Sequence, residues 1–558
     1  MNLSESELKN QLIEPTGKDR ERAPGFFQWL NFSSQSLETG ALIIGGSTLI
    51  GTLLGLLKNT LLAARFGATR DLDIYFAGFR IPDFLYSILV FSALSSSFMP
   101  VFARAIKKGK QEVWEMVSAI FGVFSLFFGF FALLVFIFSE QAAGLVAPGF
   151  SSLDLERLSV LLKILMLQPI LLAGSNLFSI TLQGFKKFFV SSLAPVFYNL
   201  GIILGIVWLS NFWGINGVGW GVVLGALLHL LIQLPSLKSL GFVLSFSKRA
   251  LVHLKEMFYL MVPRTFTILA NNLVLFWITS VSSLLAGGAL GIYNLADSLQ
   301  SFPLTILVLS LTAAAFPYLS EKWANYQESQ DPRFKQEFVD IFDSVLQKIS
   351  LIIIPVSLLL AVFSQELVRL IFGYGSFTPQ DQLLTSLTLV VFAIFLPAQA
   401  LTTFLIRAFF STGNTKDPFV SMFASAFLIK IPLVWIFSKP LGVVGLSLGF
   451  SLGFLFDCLY LFLVFKKKTK ISRLNLFSQG IKTGWYWGAV LALPGLIGFF
   501  GFSFLPILAR QSFIFQALIK LGLTLISLLI GFKLKLVSFS DFSLFFPNQR
   551  SNYEPRTD

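Results

Sequence analysis

The chain sets ionisable side chains inside apolar sequence, and their spacing carries the first chemical content. The stretch from Asp73 to Pro100, DIYFAGFRIPDFLYSILVFSALSSSFMP, holds Asp73, Arg80 and Asp83 near one end of a long hydrophobic run. Arg80 and Asp83 stand three residues apart and share a helix face. Asp73 lies two turns before Arg80 and returns to that face. Charge within a bilayer is costly, and residues that carry it face a bundle interior or a watery cavity. Related groups recur at Lys58, at Arg264 after Pro263, at Asn271 and Asn272, and at Asp297, Ser298 and Gln300. Arg407, Lys430 and Asp457 follow. Together they describe a hydrated cavity of net positive character, suited to an anionic head group. Two other readings stay open: pairs that merely lock helices, and interface anchors at Lys58 and Arg407 whose long stems snorkel.

Other chemistries find little support. Asp71 and Asp73 form an acidic pair of the kind used by polytopic glycosyltransferases, but such enzymes need a metal or base in a structured outer loop, and every outer loop here is short. A non-enzyme is expected. No Gly-rich loop ending in GK[ST] is present, so this chain encodes no ATP-driven step. One cysteine, Cys458, excludes an internal disulfide, and two histidines, His229 and His253, are too few for a His-based metal centre. No metal site or cofactor is expected.

The elements that must position these groups are membrane spans. The chain has 558 residues, 55% of them hydrophobic and 13% charged, about half the charged share of a soluble domain. Fourteen apolar segments long enough to cross a ~30 Å core are read near 40–63, 73–102, 113–138, 157–184, 190–210, 216–236, 256–286, 291–319, 346–366, 382–410, 417–436, 440–465, 482–502 and 511–532. They should be helices, because lipid leaves backbone groups no outside partner. Lys and Arg collect after even-numbered spans, as in Arg104, Lys107 and Lys108 or the run Lys466–Lys468, while the loops near 211–215 and 287–290 have none. The positive-inside rule then puts the even loops and both termini in the cytoplasm. It also accounts for the net charge of +13 without nucleic acid.

The opening stretch has an echo at Gly291–Tyr318. At an offset of 218, Tyr75 meets Tyr293, Ile88-Leu89-Val90 meets Ile306-Leu307-Val308, and Phe98 meets Phe316. Further on, the glycine-rich run 215–238 mirrors 440–468. Six spans separate the copies, so both halves keep one orientation, a parallel repeat about the membrane normal. The predicted fold class is therefore an all-α polytopic membrane protein of 14 transmembrane helices: two parallel-repeat six-helix lobes plus two C-terminal helices. The expected boundaries are a cytoplasmic arm at 1–38, an N-lobe at 39–240, a C-lobe at 241–468, two further spans at 469–535 and a cytoplasmic tail at 536–558.

The run GTLLGLLKNTLLAARFGATRDLDIYFAGFRIPDFL, followed by SSSFMPVFARAIKKG, resembles the opening of the MurJ (MviN) lipid II flippase family, within the MOP exporter superfamily. APGF at 147–150, QLPSLKSLG at 233–241, PRTFTILANN at 263–272, FPYLSEKWA at 316–324, YGSFTPQD at 374–381 and RAFFSTGNTKDP at 407–418 continue the likeness in order. The resemblance implies two six-helix lobes around a V-shaped cavity and two extra helices beside a lipid groove. It implies movement of undecaprenyl-pyrophosphate-linked MurNAc-pentapeptide-GlcNAc from the inner to the outer leaflet of the bacterial inner membrane, with other cell-wall synthesis proteins as further partners. Carried over, the family's aspartate is Asp73, a basic residue is kept at Arg80, a late span-one arginine becomes Lys58, and Arg264 sits in the PRT motif.

This is a divergent member. Thr52, Tyr86-Ser87 and Ser298 stand where the family has arginines, although Asp297 stays beside Ser298. Lysine at 58 also loses the planar fork that grips phosphate. Some members bind sodium between spans seven, eleven and twelve; span eleven here offers Lys430 instead, whose charge is expected to replace a bound cation. The expected substrate-binding set is Lys58, Asp73, Arg80, Asp83, Arg264, Asn271, Asp297 and Ser298. The implied activity is an alternating-access lipid II flippase. The alternatives are a flippase for another polyprenyl-linked glycan (an O-antigen, teichoic or exopolysaccharide intermediate), a MATE-type exporter, and a silent scaffold in a cell-wall complex.

Overall fold

A computed structural model describes residues 37–91, 94–245, 251–469 and 486. Every element among them is helical. Nine helical stretches among the described residues are long and apolar enough to cross a bilayer. Some expected spans are missing from that set for physical reasons. Span two is broken into α-helices Arg70–Gly78 and Arg80–Tyr86, π-helical turns Ser87–Phe91 and Leu94–Phe98, and helix Met99–Lys108. Spans five and six run on as one stretch, Phe188–Ser239, through a kink at Gly214. The arm before residue 37, and spans thirteen and fourteen apart from Tyr486, lie outside the described residues.

The chain forms two compact units, Met1–Gly291 and Ile292–Asp558. The helix Leu251–Ser283, expected as the first span of the C-lobe, falls in the first of these.

In the first unit the breaks follow from proline. Pro82 has no N–H for the Gly78 carbonyl, and the helix interrupts at Phe79 before restarting with Asp83 N–H on the Phe79 carbonyl at 2.8 Å. The helix Phe188–Leu204 packs on Leu37–Phe66 and on Ser210–Leu231. That last pair is held at backbone range by glycine. Gly201 and Gly205 face Gly225 and Gly221, and a side chain at any of them would strike the opposite main chain.

The second unit repeats this device. Gly214 turns the chain at φ 53°, ψ −131°, and Gly442 does so at φ 57°, ψ −132°. Both conformations suit glycine alone. A Cβ on Gly217 would meet the Leu209 carbonyl, and one on Gly445 would meet that of Phe437. Each equivalence is an offset of 228. A second correspondence lies in the π-helical turns: Ser87–Phe91 and Leu304–Val308 match within one residue at the offset of 218, the latter directly after Pro303. The core of this unit is aromatic. Phe342 stacks on Phe465 at 4.9 Å and lies 5.0 Å from Phe404, with Phe338 and Phe409 closing the cluster.

Candidate functional site

Three polar constellations lie within apolar helices, and each treats its charges differently. The first is built on Asp73. The helix Ala289–Pro303 begins with N–H groups that have no partner within the helix. The Asp73 carboxylate, fully buried, accepts from Gly288 N–H at 2.8 Å and Gly291 N–H at 2.9 Å. Arg70 holds the same carboxylate at 3.2 Å, lies 4.6 Å over the Phe150 ring and comes within 3.8 Å of Asp154. Arg157 bonds to Asp71 alongside. The APGF motif completes this region: Gly149 N–H donates to Ser283 Oγ at 2.9 Å, and a Cβ on Gly149 would strike the Ser283 backbone. Asp73, expected in the cavity, is thus a cap that ties the start of span two to the turn before span eight. Its oxygens are occupied by donors of the protein itself.

The second constellation gathers around Asp83 on the helices of the first unit. Asp83 is exposed although it sits in an apolar span. Arg80 and Lys58 both lie within electrostatic reach of it. Arg80 Nε donates to Thr279 Oγ1 at 2.6 Å, which aims the guanidinium, while Thr279 anchors to the Leu275 carbonyl. Around Asp83 stand three tyrosines that the spacing argument passed over. Tyr75 and Tyr86 come from the same broken span, and Tyr198 from Phe188–Leu204; all three lie within reach of Asp83. Asn176 on Leu167–Gly184 lies within reach of Tyr86. Tyr75 is buried, and among the described residues its hydroxyl has no partner. Five helical segments thus bring two cations, one exposed carboxylate and several neutral hydrogen-bonding groups together. Phenols in apolar sequence read as ordinary bulk, and only the three- and eight-residue separation of Tyr86 and Tyr75 from Asp83 could have singled them out.

The third constellation is in the second unit. Lys430 and Asp457 are almost wholly buried, at 4% and 1% exposure, and pair at 3.2 Å. Ser421 Oγ donates to Asp457 Oδ1 at 2.7 Å, and the Lys430 ammonium lies 4.2 Å from the Phe454 ring centre. Lys430 closes the π-helical turn Ser425–Lys430, and its stem fills the notch left by Gly453.

The remaining expected residues are more ordinary. Asn271 is exposed on Leu251–Ser283, while the Arg264 side chain on that helix lies outside the described residues. Asp297 accepts from Gln300 at 2.8 Å, and the Ser298 hydroxyl donates to the Leu295 carbonyl of its own helix at 2.6 Å. Among the described residues no group of three His, Cys, Asp or Glu side chains is placed to hold a metal ion.

The family model "Lipid II flippase MurJ" matches residues 62–518. A probable lipid II flippase MurJ of Buchnera aphidicola subsp. Acyrthosiphon pisum is 31% identical over 392 residues, covering 69% of this chain and 74% of the relative. Among solved structures, a lipid II flippase MurJ in an inward closed conformation superposes with a TM-score of 0.69 at 23% identity, over 88% of this chain and 99% of that one. An inward-facing multidrug resistance MATE family transporter of the MOP superfamily follows at 0.63 and 16% identity, over 75% and 94%. A family model spanning most of the chain, a relative above 30% identity and a shared helical fold agree, and the chain belongs to the MurJ lipid II flippase family.

Proposed function

We propose that this protein is a lipid II flippase of the bacterial inner membrane, moving the pyrophosphate-linked disaccharide pentapeptide from the inner to the outer leaflet by alternating access. It spans the membrane fourteen times with both termini in the cytoplasm, as two six-helix lobes and two C-terminal helices that guide the polyprenyl tail. Arg80 and Lys58, with Arg264, attract the pyrophosphate. The observation that carries this reading is the group around Asp83: an exposed carboxylate inside an apolar span, with two half-buried cations, Arg80 and Lys58, within electrostatic reach of it. Charge-assisted hydrogen bonds from such cations are the strong ones available to a phosphate. Lys430 supplies a tethered positive charge to Asp457, so transport needs no bound sodium at that place.

A second reading has one observation in its favour. Tyr86 and Ser298 bring no charge, and Ser298 spends its hydroxyl on its own helix. A site with so few cations also suits another polyprenyl-linked glycan. Complementation separates the two. The wild-type chain should rescue a strain depleted of its lipid II flippase, and Arg80→Ala and Arg264→Ala should each abolish rescue while the protein still reaches the membrane. Full rescue by both variants removes the cationic-site mechanism; no rescue by the wild type favours the other glycan.

A further inference from the structure

The open face on the first unit carries more neutral hydrogen-bonding groups than a pyrophosphate can use. Its two cations, Arg80 and Lys58, are offset by Asp83, leaving a face only weakly positive. A polyanion alone would be better served without that carboxylate. Sugars make the opposite demand. They are neutral, dense in hydroxyl donors, and are met by groups that accept: a carboxylate offers about four lone-pair sites, and phenols and amides both donate and accept. Asp83, Tyr75, Tyr86, Tyr198 and Asn176 are such groups, and four helical segments bring them together. Two features distinguish the cluster from one that only holds helices together. Asp83 is exposed, and the Tyr75 hydroxyl, on a side chain 1% exposed and within reach of Asp83 and Tyr198, has no partner among the described residues. A buried polar group without a partner carries a desolvation cost that a ligand hydroxyl would relieve.

We infer that Asp83, Tyr75, Tyr86, Tyr198 and Asn176 form a saccharide subsite beside the Arg80–Lys58 phosphate subsite, so that this face reads a glycosyl pyrophosphate as one unit. The inference rests on the lipid-linked glycan reading and adds which part of the head group the first unit recognises. Arg80, fixed by Thr279, takes the phosphate; Asp83 accepts from ring hydroxyls; Tyr86, beside Asn176, and Tyr198 border the sugar.

Binding of two probes to the purified full-length protein tests it. Farnesyl pyrophosphate presents the phosphates without sugar, and a farnesyl-pyrophosphate-linked MurNAc-pentapeptide-GlcNAc presents both. The wild type should prefer the glycan probe. The double variant Tyr86→Phe/Tyr198→Phe, which keeps ring volume, should lower that preference by about tenfold, the loss expected for one or two neutral hydrogen bonds. Asp83→Asn should lower it too while tightening farnesyl pyrophosphate binding, because a competing anion has gone. Arg80→Ala should weaken both probes in parallel. An unchanged preference in the tyrosine and Asp83 variants overturns the subsite and leaves the lipid-linked glycan reading standing. Parallel loss of both probes in the tyrosine variant also overturns it, by marking the phenols as structural. A wild type that binds both probes alike overturns subsite and glycan reading together.

Discussion

Two carboxylates in apolar sequence meet different fates, and the difference is what lies opposite each. Asp73 is occupied by two backbone N–H groups and Arg70. Asp73→Asn keeps an acceptor but turns an amide donor toward other donors, which should cost about 1–3 kcal/mol. It should show as a lower melting temperature of the detergent-solubilised protein; an unchanged melting curve would mean the cap is dispensable. Asp457 is neutralised by Lys430 in nearly complete burial. Lys430→Met strands a buried charge and should destabilise by about 3–5 kcal/mol, whereas Lys430→Met combined with Asp457→Leu should recover most of that loss. If Lys430 stands in for a cation, Lys430→Ala should also gain stabilisation by sodium that the wild type lacks. Thermal melts with sodium against N-methylglucamine measure both effects. Lys430 and Asp457 are visible in the sequence as intramembrane charges, yet 27 residues separate them and no spacing rule couples them.

At the scale of elements, glycine decides how closely helices approach. Gly217, Gly221 and Gly225 recur as Gly445, Gly449 and Gly453, a spacing legible in the sequence, and both sets place main chain against neighbours. Gly221→Val and Gly449→Val should each force their helix pair apart and lower the yield of folded protein in membranes. Gly129→Ala, with nothing within 4 Å of the added carbon, should be neutral. Fluorescence-detected size-exclusion chromatography would distinguish them, and a monodisperse Gly221→Val protein at wild-type yield would refute close packing. The π-helical turns were not legible. Such a turn inserts one residue into a helix without changing its composition. Proline is the one partial signal: Pro82 and Pro303 stand inside apolar runs, and the breaks lie beside them.

For the whole molecule, the proposed function depends on moving a charged face between two aqueous compartments. If the empty, net positive site returns toward the cytoplasm under the membrane potential, each charge crossing the field contributes ~2.3 kcal/mol per 100 mV. Collapsing the potential with valinomycin and potassium should therefore slow lipid II flipping in proteoliposomes, and a voltage-independent rate would place the driving force elsewhere.

The sequence by itself determined that the chain is a helical membrane protein, that its glycines and apolar runs recur at fixed offsets, and which residues carry charge inside apolar runs. Those are properties of composition and period, which lipid enforces directly on each segment. Only the tertiary structure decided which charges are spent and which stay open. Asp73 reaches Gly288 across 215 residues and Arg80 reaches Thr279 across 199. Such partners are chosen by how helices pack, and packing depends on the shapes of many distant side chains at once.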